Sequence, residues 1–156
     1  SGGDARYTTI ETGGQLAVKA GGSASHTEVK SGGRLNVLSG GVIRTTTVSS
    51  GSTLNVASGG VASATTLASG ASAVIAAGGV MRTTTISSGG RLNVAGGGVT
   101  SAARLLKGGQ LILSGGAKAY STRIADGASL TLASALAQGT TVSSGAQLLK
   151  LYLDHR

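Results

Sequence analysis

Glycine recurs at two alternating intervals along almost the whole chain. The first glycine of each turn stands at positions 2, 13, 21, 32, 40, 51, 59, 70, 78, 89, 97, 108, 116, 127 and 145. The intervals of 11 and 8 residues add up to 19, and this register holds to Gly127, after which one residue is missing before Gly145. The chain is therefore about eight copies of a 19-residue unit, which predicts a repeat architecture.

Apolar residues within each unit come in pairs that are two positions apart. Leu35 and Val37 form one such pair, and Leu54 and Val56 repeat it in the next unit. This spacing is typical of strands, and β-branched residues favour strands as well. Strands this short become stable when successive coils stack and identical positions form ladders. We predict an all-β fold, a parallel β-solenoid or β-helix of about eight 19-residue coils.

Right-handed winding is expected, because parallel crossover connections are overwhelmingly right-handed. With a rise of about 4.8 Å for each coil, the rod would be roughly 38 Å long. We assign residues 1–147 to this repeat domain. Residues 148–156 depart from the unit, since Lys150 takes a Val or Leu position and Tyr152 has no counterpart. We interpret this tail as a C-terminal cap, a tag or the start of a missing segment.

The composition indicates a thin core. Aromatic residues are 2% of the chain and apolar residues are 40%, so aliphatic side chains must supply the buried area. The corner glycines are expected to adopt positive φ, which only glycine does without strain. An inward column of threonines, with Ala103 in one place, is expected to hydrogen-bond within the column or to corner backbone. That column is Thr8, Thr27, Thr46, Thr65, Thr84, Thr122 and Thr140.

The repeat motif SGGxLxVxxGGxAxxTxVxxGG carries a family resemblance. It reads SGGRLNVLSGGVIRTTTVSSG over Ser31–Gly51 and SGGRLNVAGGGVTSAARLLKGG over Ser88–Gly109. The motif resembles the passenger repeats of AIDA-type self-associating autotransporter adhesins (adhesin involved in diffuse adherence), the group that includes Antigen 43 and TibA. The resemblance extends from Gly2 to about Gln147.

This resemblance implies a right-handed β-helix at the surface of a Gram-negative cell, with roles in adhesion, autoaggregation and biofilm formation. We expect a secreted, surface-exposed passenger fragment whose rods associate with one another or bind host or bacterial surface glycans. The outer membrane would be a partner only through a C-terminal barrel, which this chain lacks. Some relatives carry heptose on serine, so a heptosyltransferase is a further expected partner.

Serines beside the corners are candidate heptose acceptors by this resemblance. Corner serines also satisfy turn backbone, which is the alternative interpretation. The candidates are Ser31, Ser39, Ser50, Ser58, Ser69, Ser88, Ser114 and Ser144.

Outward arginines are the candidate partner-binding residues. The net charge of +8 favours acidic partners such as anionic polysaccharides, and guanidinium groups suit sulfate and phosphate. Nucleic acid is not expected, because single-strand binders use aromatic stacking platforms that this sequence lacks. Solvated charge that keeps the rod soluble is the alternative interpretation. The candidates are Arg6, Arg34, Arg44, Arg82, Arg91, Arg104 and Arg123.

The sequence does not favour an enzyme. Its 2 histidines and 5 acidic residues are scattered, so we expect no catalytic residues, no metal site and no cofactor. Ice binding is an alternative function, because Thr45 with Thr47 and Thr83 with Thr85 would form outward Thr-x-Thr pairs on a flat strand. An anionic polysaccharide-binding or glycan-binding solenoid is the other alternative to the adhesin.

Overall fold

Every regular element of this chain is a short β-strand. The computed structural model describes residues 2–151, and twenty strands lie within that range. In chain order they are β1 Asp4–Arg6, β2 Thr9–Ile10, β3 Gln15–Val18, β4 Ser23–Val29, β5 Arg34–Val37, β6 Val42–Val48, β7 Thr53–Val56, β8 Val61–Leu67, β9 Ser72–Ile75, β10 Val80–Ile86, β11 Arg91–Val94, β12 Val99–Ser101, β13 Arg104–Leu105, β14 Gln110–Ser114, β15 Lys118–Tyr120, β16 Arg123–Ile124, β17 Ser129–Ala133, β18 Leu136–Gln138, β19 Thr141–Val142 and β20 Gln147–Leu151.

The strands form two parallel sheets that run the length of a rod. The 8-stranded sheet has the order β20-β17-β14-β11-β9-β7-β5-β3, so each strand pairs with the equivalent strand of the next coil. The 12-stranded sheet has the main order β1-β4-β6-β8-β10-β12-β15-β18, and β2, β13, β16 and β19 continue it laterally. Leu35 pairs with Leu54, which is 19 residues further along. The predicted parallel β-solenoid of 19-residue coils is confirmed.

The missing residue of the last coil lies at a single corner. Ser114 pairs with Ala133 at an offset of 19, whereas Lys118 pairs with Leu136 at an offset of 18. The corner after Ala133 therefore contains Ser134 and Ala135, where the preceding coil has three residues, 115–117. Ser134 takes a φ of +52° there. The register on both sides of this corner stays intact.

The predicted corner glycines adopt the left-handed conformation. From Gly13 to Gly145, every first glycine of a turn has a positive φ, so this prediction is confirmed. The second position of the corner faces inward, and Ser52, Ala71 and Ala128 fill it with at most 1% exposure. A small side chain is accepted at that second position because its Cβ lies at the edge of the core.

A third corner divides the 12-stranded sheet lengthwise. One residue in each coil has a φ between +50° and +52°, until Gly139 takes the position with a φ of +67°. Arg44 and Thr45 are consecutively exposed before Thr46 turns inward, so the chain bends within β6. This column, which we call the ridge, comprises Tyr7, His26, Thr45, Ala64, Thr83, Ala102, Ser121 and Gly139.

The ridge overturns the geometry expected for ice binding. Thr45 and Thr83 occupy the bend itself, with φ of +51° and +52°. Thr47 and Thr85 lie on the strand segment that follows the bend. The predicted Thr-x-Thr pairs on one flat strand face are therefore wrong, and the structure gives ice binding no flat threonine row.

The core is a stack of aliphatic ladders with a small cross-section. Leu35, Leu54, Leu92 and Leu111 are fully buried in one ladder, which Ala73 interrupts without exposure. Each of these residues pairs with the equivalent residue of the adjacent coils. Among residues 2–150, no aromatic side chain is buried in the interior. The energy of burial is thus distributed evenly along the rod.

The inward threonines do not hydrogen-bond as predicted. Their Oγ1 atoms are buried and have no hydrogen-bond partner within residues 2–151. In-register neighbours in a parallel sheet are about 4.8 Å apart, whereas an O–H···O bond needs an oxygen–oxygen distance of about 2.5–3.0 Å. Identical rotamers repeated along the axis therefore keep the hydroxyls out of reach. The atoms concerned in this column belong to Thr27, Thr46, Thr65, Thr84, Thr122 and Thr140.

The last described strand continues the solenoid beyond residue 147. Strand β20 pairs with β17 along its whole length, from Ser129 with Gln147 to Ala133 with Leu151. Lys150 pairs with Leu132, as the register predicts, but its side chain is exposed. The predicted tail residues from Tyr152 onward lie outside the described part of the chain.

Candidate binding surfaces

The described part of the rod contains no cluster of the metal-binding type. Within residues 2–151, no group of three or more His, Asp or Glu side chains is close enough to hold a metal ion. Any site on this part of the molecule must be built from exposed side chains along the coils.

Among the same residues, no helix has the length and hydrophobicity needed to cross a membrane.

The candidate arginines are distributed over three separate surfaces. Arg44 and Arg82 lie on the first segment of the 12-stranded sheet, where Ser63 separates them by pairing with both. Arg104 and Arg123 pair directly with each other on the segment beyond the ridge. Arg6 belongs to the first of these surfaces. The predicted partner-binding residues thus do not form one continuous patch.

The third surface lies on the other sheet. Arg34 pairs with Thr53, and Arg91 pairs with Ser72 and Gln110. A polar ladder accompanies them, because Asn55 Nδ2 donates to Asn36 Oδ1 at 2.8 Å. Val74 occupies the next position of that ladder and interrupts it before Asn93. The hydrogen-bonded part of this ladder therefore comprises Asn36 and Asn55.

Seven of the eight candidate serines lie at the apex of a corner, directly before a left-handed glycine. All seven are exposed: Ser31, Ser39, Ser50, Ser58, Ser69, Ser88 and Ser144. Ser114 differs, because it ends strand β14 and is half-buried. Its Oγ donates to Val94 O at 3.5 Å, and Gly115 takes the apex position. Ser114 accepts the turn-closing hydrogen bond from Ala117 N at 3.1 Å and so lies at the start of this corner, one position before the apex.

The apex hydroxyls lie over the glycine of the following coil. A Cβ built on Gly59 would be 2.8 Å from Ser39 Oγ, and one built on Gly78 would be 2.8 Å from Ser58 Oγ. Corner glycines are therefore needed for two reasons, namely their positive φ and the space that the neighbouring hydroxyl occupies. This arrangement stacks the corners closely along two edges of the rod.

A concave surface near the first coils was missed by sequence reasoning. Tyr7 and His26 are neighbours on the ridge, and their rings stack with centroids 4.8 Å apart and planes inclined by 22°. Beside them, Asp4 Oδ2 accepts from Arg6 Nε at 2.7 Å. The separation of Tyr7 and His26 by 19 residues was the available signal, since the register makes such residues neighbours.

The Asp4 carboxylate is held in its ionised form. Asp4 Oδ1 accepts a hydrogen bond from Ser23 Oγ at 2.8 Å, which together with the Arg6 guanidinium lowers the pKa of the Asp4 carboxyl below its ordinary value. The Asp4 side chain is 44% exposed, so it remains accessible to solutes. A carboxylate, a guanidinium group and a hydroxyl therefore lie within hydrogen-bonding distance on one face of the rod.

The comparison with protein families identifies the class of these repeats. Residues 1–52 match the AIDA family, described as an adhesin of the bacterial autotransporter system, probable stalk. The comparison with curated proteins gives no match.

A solved structure extends the likeness to nearly the whole chain. It is a TibA fragment described as hyper-glycosylated in a reaction catalysed by TibC. The two chains share 32% sequence identity with a TM-score of 0.79, over 94% of this chain and 60% of that fragment. The likeness shows that the two chains share the β-solenoid fold.

The resemblance to AIDA-type autotransporter adhesin repeats seen in the sequence is confirmed by these two matches. The matched family consists of adhesins of the bacterial autotransporter system, which implies a secreted or cell-surface location.

Proposed function

We propose that this chain is part of the passenger of a surface-exposed adhesin that promotes cell adhesion and autoaggregation. One observation supports this most directly: exposed polar side chains repeat in register along the rod that the described residues form. Equivalent groups on facing rods can meet at many coils at once. Multivalent contacts of this kind give strong attachment from individually weak interactions. The rod would stand on the extracellular face of the outer membrane, and it would not be an enzyme.

The corner serines are proposed as heptose acceptors. Support comes from the TibA fragment, which was glycosylated by TibC, and from the seven exposed apex serines of this chain. A dedicated heptosyltransferase would be the partner for this modification. Intact-mass measurement of natively produced protein tests the proposal, because each added heptose gives a fixed mass increment. An unmodified mass would contradict it.

Cell aggregation tests the adhesive function. Cells that display the chain are expected to clump and settle faster than cells that display only the anchor. A fourfold variant with Arg→Glu at Arg44, Arg82, Arg104 and Arg123 tests whether the basic positions form the contact. If cells that display the unchanged chain settled no faster than cells that display only the anchor, the proposal would be overturned.

A further inference from the structure

A polar groove crosses the first three coils on the 12-stranded sheet. It has a volume of about 400 Å³, which is the size range of saccharide and small-molecule sites. One wall is the ridge with the rings of Tyr7 and His26, and the opposite wall is the backbone of corner glycines. Arg6 and Arg44 lie towards its two ends.

The two guanidinium groups are spaced by the coil register. Ser25 pairs with both Arg6 and Arg44, so the arginines are two coils apart, which is about 10 Å along the axis. Arg44 forms no ion pair or hydrogen bond within the described residues. Arg6 uses its Nε for Asp4 and keeps its terminal nitrogens available. Each can therefore receive a carboxylate or sulfate group in forked geometry.

The other wall offers an apolar surface beside these charges. The stacking of Tyr7 on His26 holds both rings upright on the ridge, and 78% of Tyr7 remains exposed. An aromatic ring of this kind supplies an apolar face and a polar tip at low cost in side-chain entropy. The carbon-bound hydrogens of a sugar ring fit such a face.

The Asp4 carboxylate limits the classes of ligand that the groove can bind. Its ionised carboxylate accepts hydrogen bonds, so it can accept from sugar hydroxyls in the groove. The stacked rings cover part of each other, whereas single-strand nucleic-acid binders present successive aromatic platforms. An acidic saccharide therefore fits this groove better than a nucleic acid does.

We propose that this groove binds an acidic polysaccharide, with anionic groups on Arg6 and Arg44 and a sugar ring against Tyr7. Carboxylate and sulfate share this chemistry, and both are tested below. The inference rests on the proposed adhesive function in that it names a ligand class for the adhesin.

The rod contains a matched control position. Arg82 lies in the same column as Arg44, and it too has a serine on either side, Ser63 and Ser101. The ridge residues beside it are Ala64, Thr83 and Ala102, so no aromatic ring is present there. The position equivalent to Asp4 in that coil is occupied by Val80. A groove-specific ligand must therefore distinguish Arg44 from Arg82, although both substitutions change the net charge equally.

The test is calorimetric titration of the whole 156-residue chain with defined oligosaccharides. The probes are an oligogalacturonate, a sulfated glycosaminoglycan oligosaccharide, a neutral glucan oligosaccharide and single-stranded DNA. We expect at least one acidic saccharide to bind and the neutral glucan not to bind. Binding to only one of the first two probes identifies the anionic group as carboxylate or sulfate.

Variants locate the bound saccharide. Arg44→Glu and Tyr7→Ala should each weaken binding by about tenfold or more, as expected for lost charge-assisted and ring contacts, while Arg82→Glu should change it by less than about threefold. Arg44→Gln removes the positive charge without adding a negative one, and it should also weaken binding by about tenfold if the guanidinium holds the anionic group. Circular dichroism confirms that each variant is folded.

Three outcomes would overturn the proposal: no binding of either acidic saccharide, equal losses for Arg44→Glu and Arg82→Glu, or tighter binding of the DNA. Because the titration uses isolated protein, its failure is distinguishable from a failure of aggregation. Cells displaying the Tyr7→Ala variant should still clump, since the proposed contact between rods does not need the ring.

Discussion

A threonine at positive φ is costly, because its branched Cβ crowds the backbone in the left-handed region. The ridge places Thr45 and Thr83 there, in the same coils that carry Arg44 and Arg82. Stacking of adjacent coils holds these residues in place, since the segments on both sides are paired in the sheet. The strain is local and can be relieved by a residue that tolerates this conformation.

Thr45→Asn should therefore stabilise the protein by about 1 kcal/mol, because asparagine adopts positive φ more readily than threonine. The denaturant midpoint of unfolding measures the change. Thr47→Asn is the matched control, since Thr47 is exposed on the ordinary strand two residues later. That control should lose stability, as asparagine is a poor strand former. A lower midpoint for Thr45→Asn would show that the threonine is favoured at the bend.

Substitution of a corner glycine separates conformational strain from crowding. Gly59→Ala combines a φ of +76° with a new Cβ 2.8 Å from Ser39 Oγ. Gly97→Ala, two coils away in the same column, has a φ of +80° but its nearest neighbour is at 3.9 Å. We expect a loss of about 1 kcal/mol for Gly97→Ala and a larger loss for Gly59→Ala.

Thermal unfolding of the two glycine variants provides the measurement. Adding Ser39→Ala to Gly59→Ala should recover part of the difference, because the crowding oxygen is removed. Equal losses for the two single variants would mean that the corner accommodates the clash without cost.

At the scale of the element, the strands β6, β8 and β10 each bury a threonine hydroxyl without a partner. Thr65 is 1% exposed, and its Oγ1 has no hydrogen bond to residues 2–151. A buried hydroxyl in this state destabilises the fold, while its methyl group contributes to the core. Ala103 occupies the same position in another coil and is buried there, so the ladder does not require a hydroxyl in every coil.

Thr65→Val should raise stability by about 1 kcal/mol, since it removes the unpaired hydroxyl and preserves the shape of the side chain. Guanidinium denaturation of the purified chain is the measurement. Thr66→Val serves as the control because Thr66 is exposed on the same strand. A destabilised Thr65→Val variant would indicate that the hydroxyl has a hydrogen-bond partner in solution.

The elements differ in how far they could be predicted from sequence. The two glycine corners and the ladders through Leu35 and Val48 follow from residue type, because positive φ needs glycine and strands need alternation. The ridge carries Tyr, His, Thr, Ala and Ser, so no residue type marks its conformation. Only the stacking of coils sets that bend, and the groove beside Tyr7 depends on it. The groove therefore could not be located from sequence alone.

At the scale of the whole molecule, each coil contacts mainly the coils on either side. Such a solenoid should tolerate the removal of whole coils, since stability is approximately a sum over neighbouring units. Residues 40–77 comprise two coils of 19 residues, and their removal joins Ser39 to Gly78 at equivalent corner positions.

Deletion of residues 40–77 should give a folded rod shortened by about 10 Å. Small-angle X-ray scattering measures the length, and circular dichroism reports the strand content. Deletion of residues 40–50 is the control, because it removes β6 and joins two different corners. If the deletion of two whole coils also abolished folding, the coils would not be independent units.

The positions of the corner hydroxyls give the rod a direction. In six corners the serine oxygen lies towards the glycine of the following coil: Ser31, Ser39, Ser50, Ser58, Ser69 and Ser88. The corner edges of the rod are therefore polar, because the serine hydroxyls point towards one end of it. Two antiparallel rods place these serine hydroxyls in opposite directions, whereas two parallel rods place them in the same direction, and either pair can have twofold symmetry. Passengers that reach across from opposing cells meet in the antiparallel orientation, so this directionality would distinguish contacts between cells from contacts on one cell.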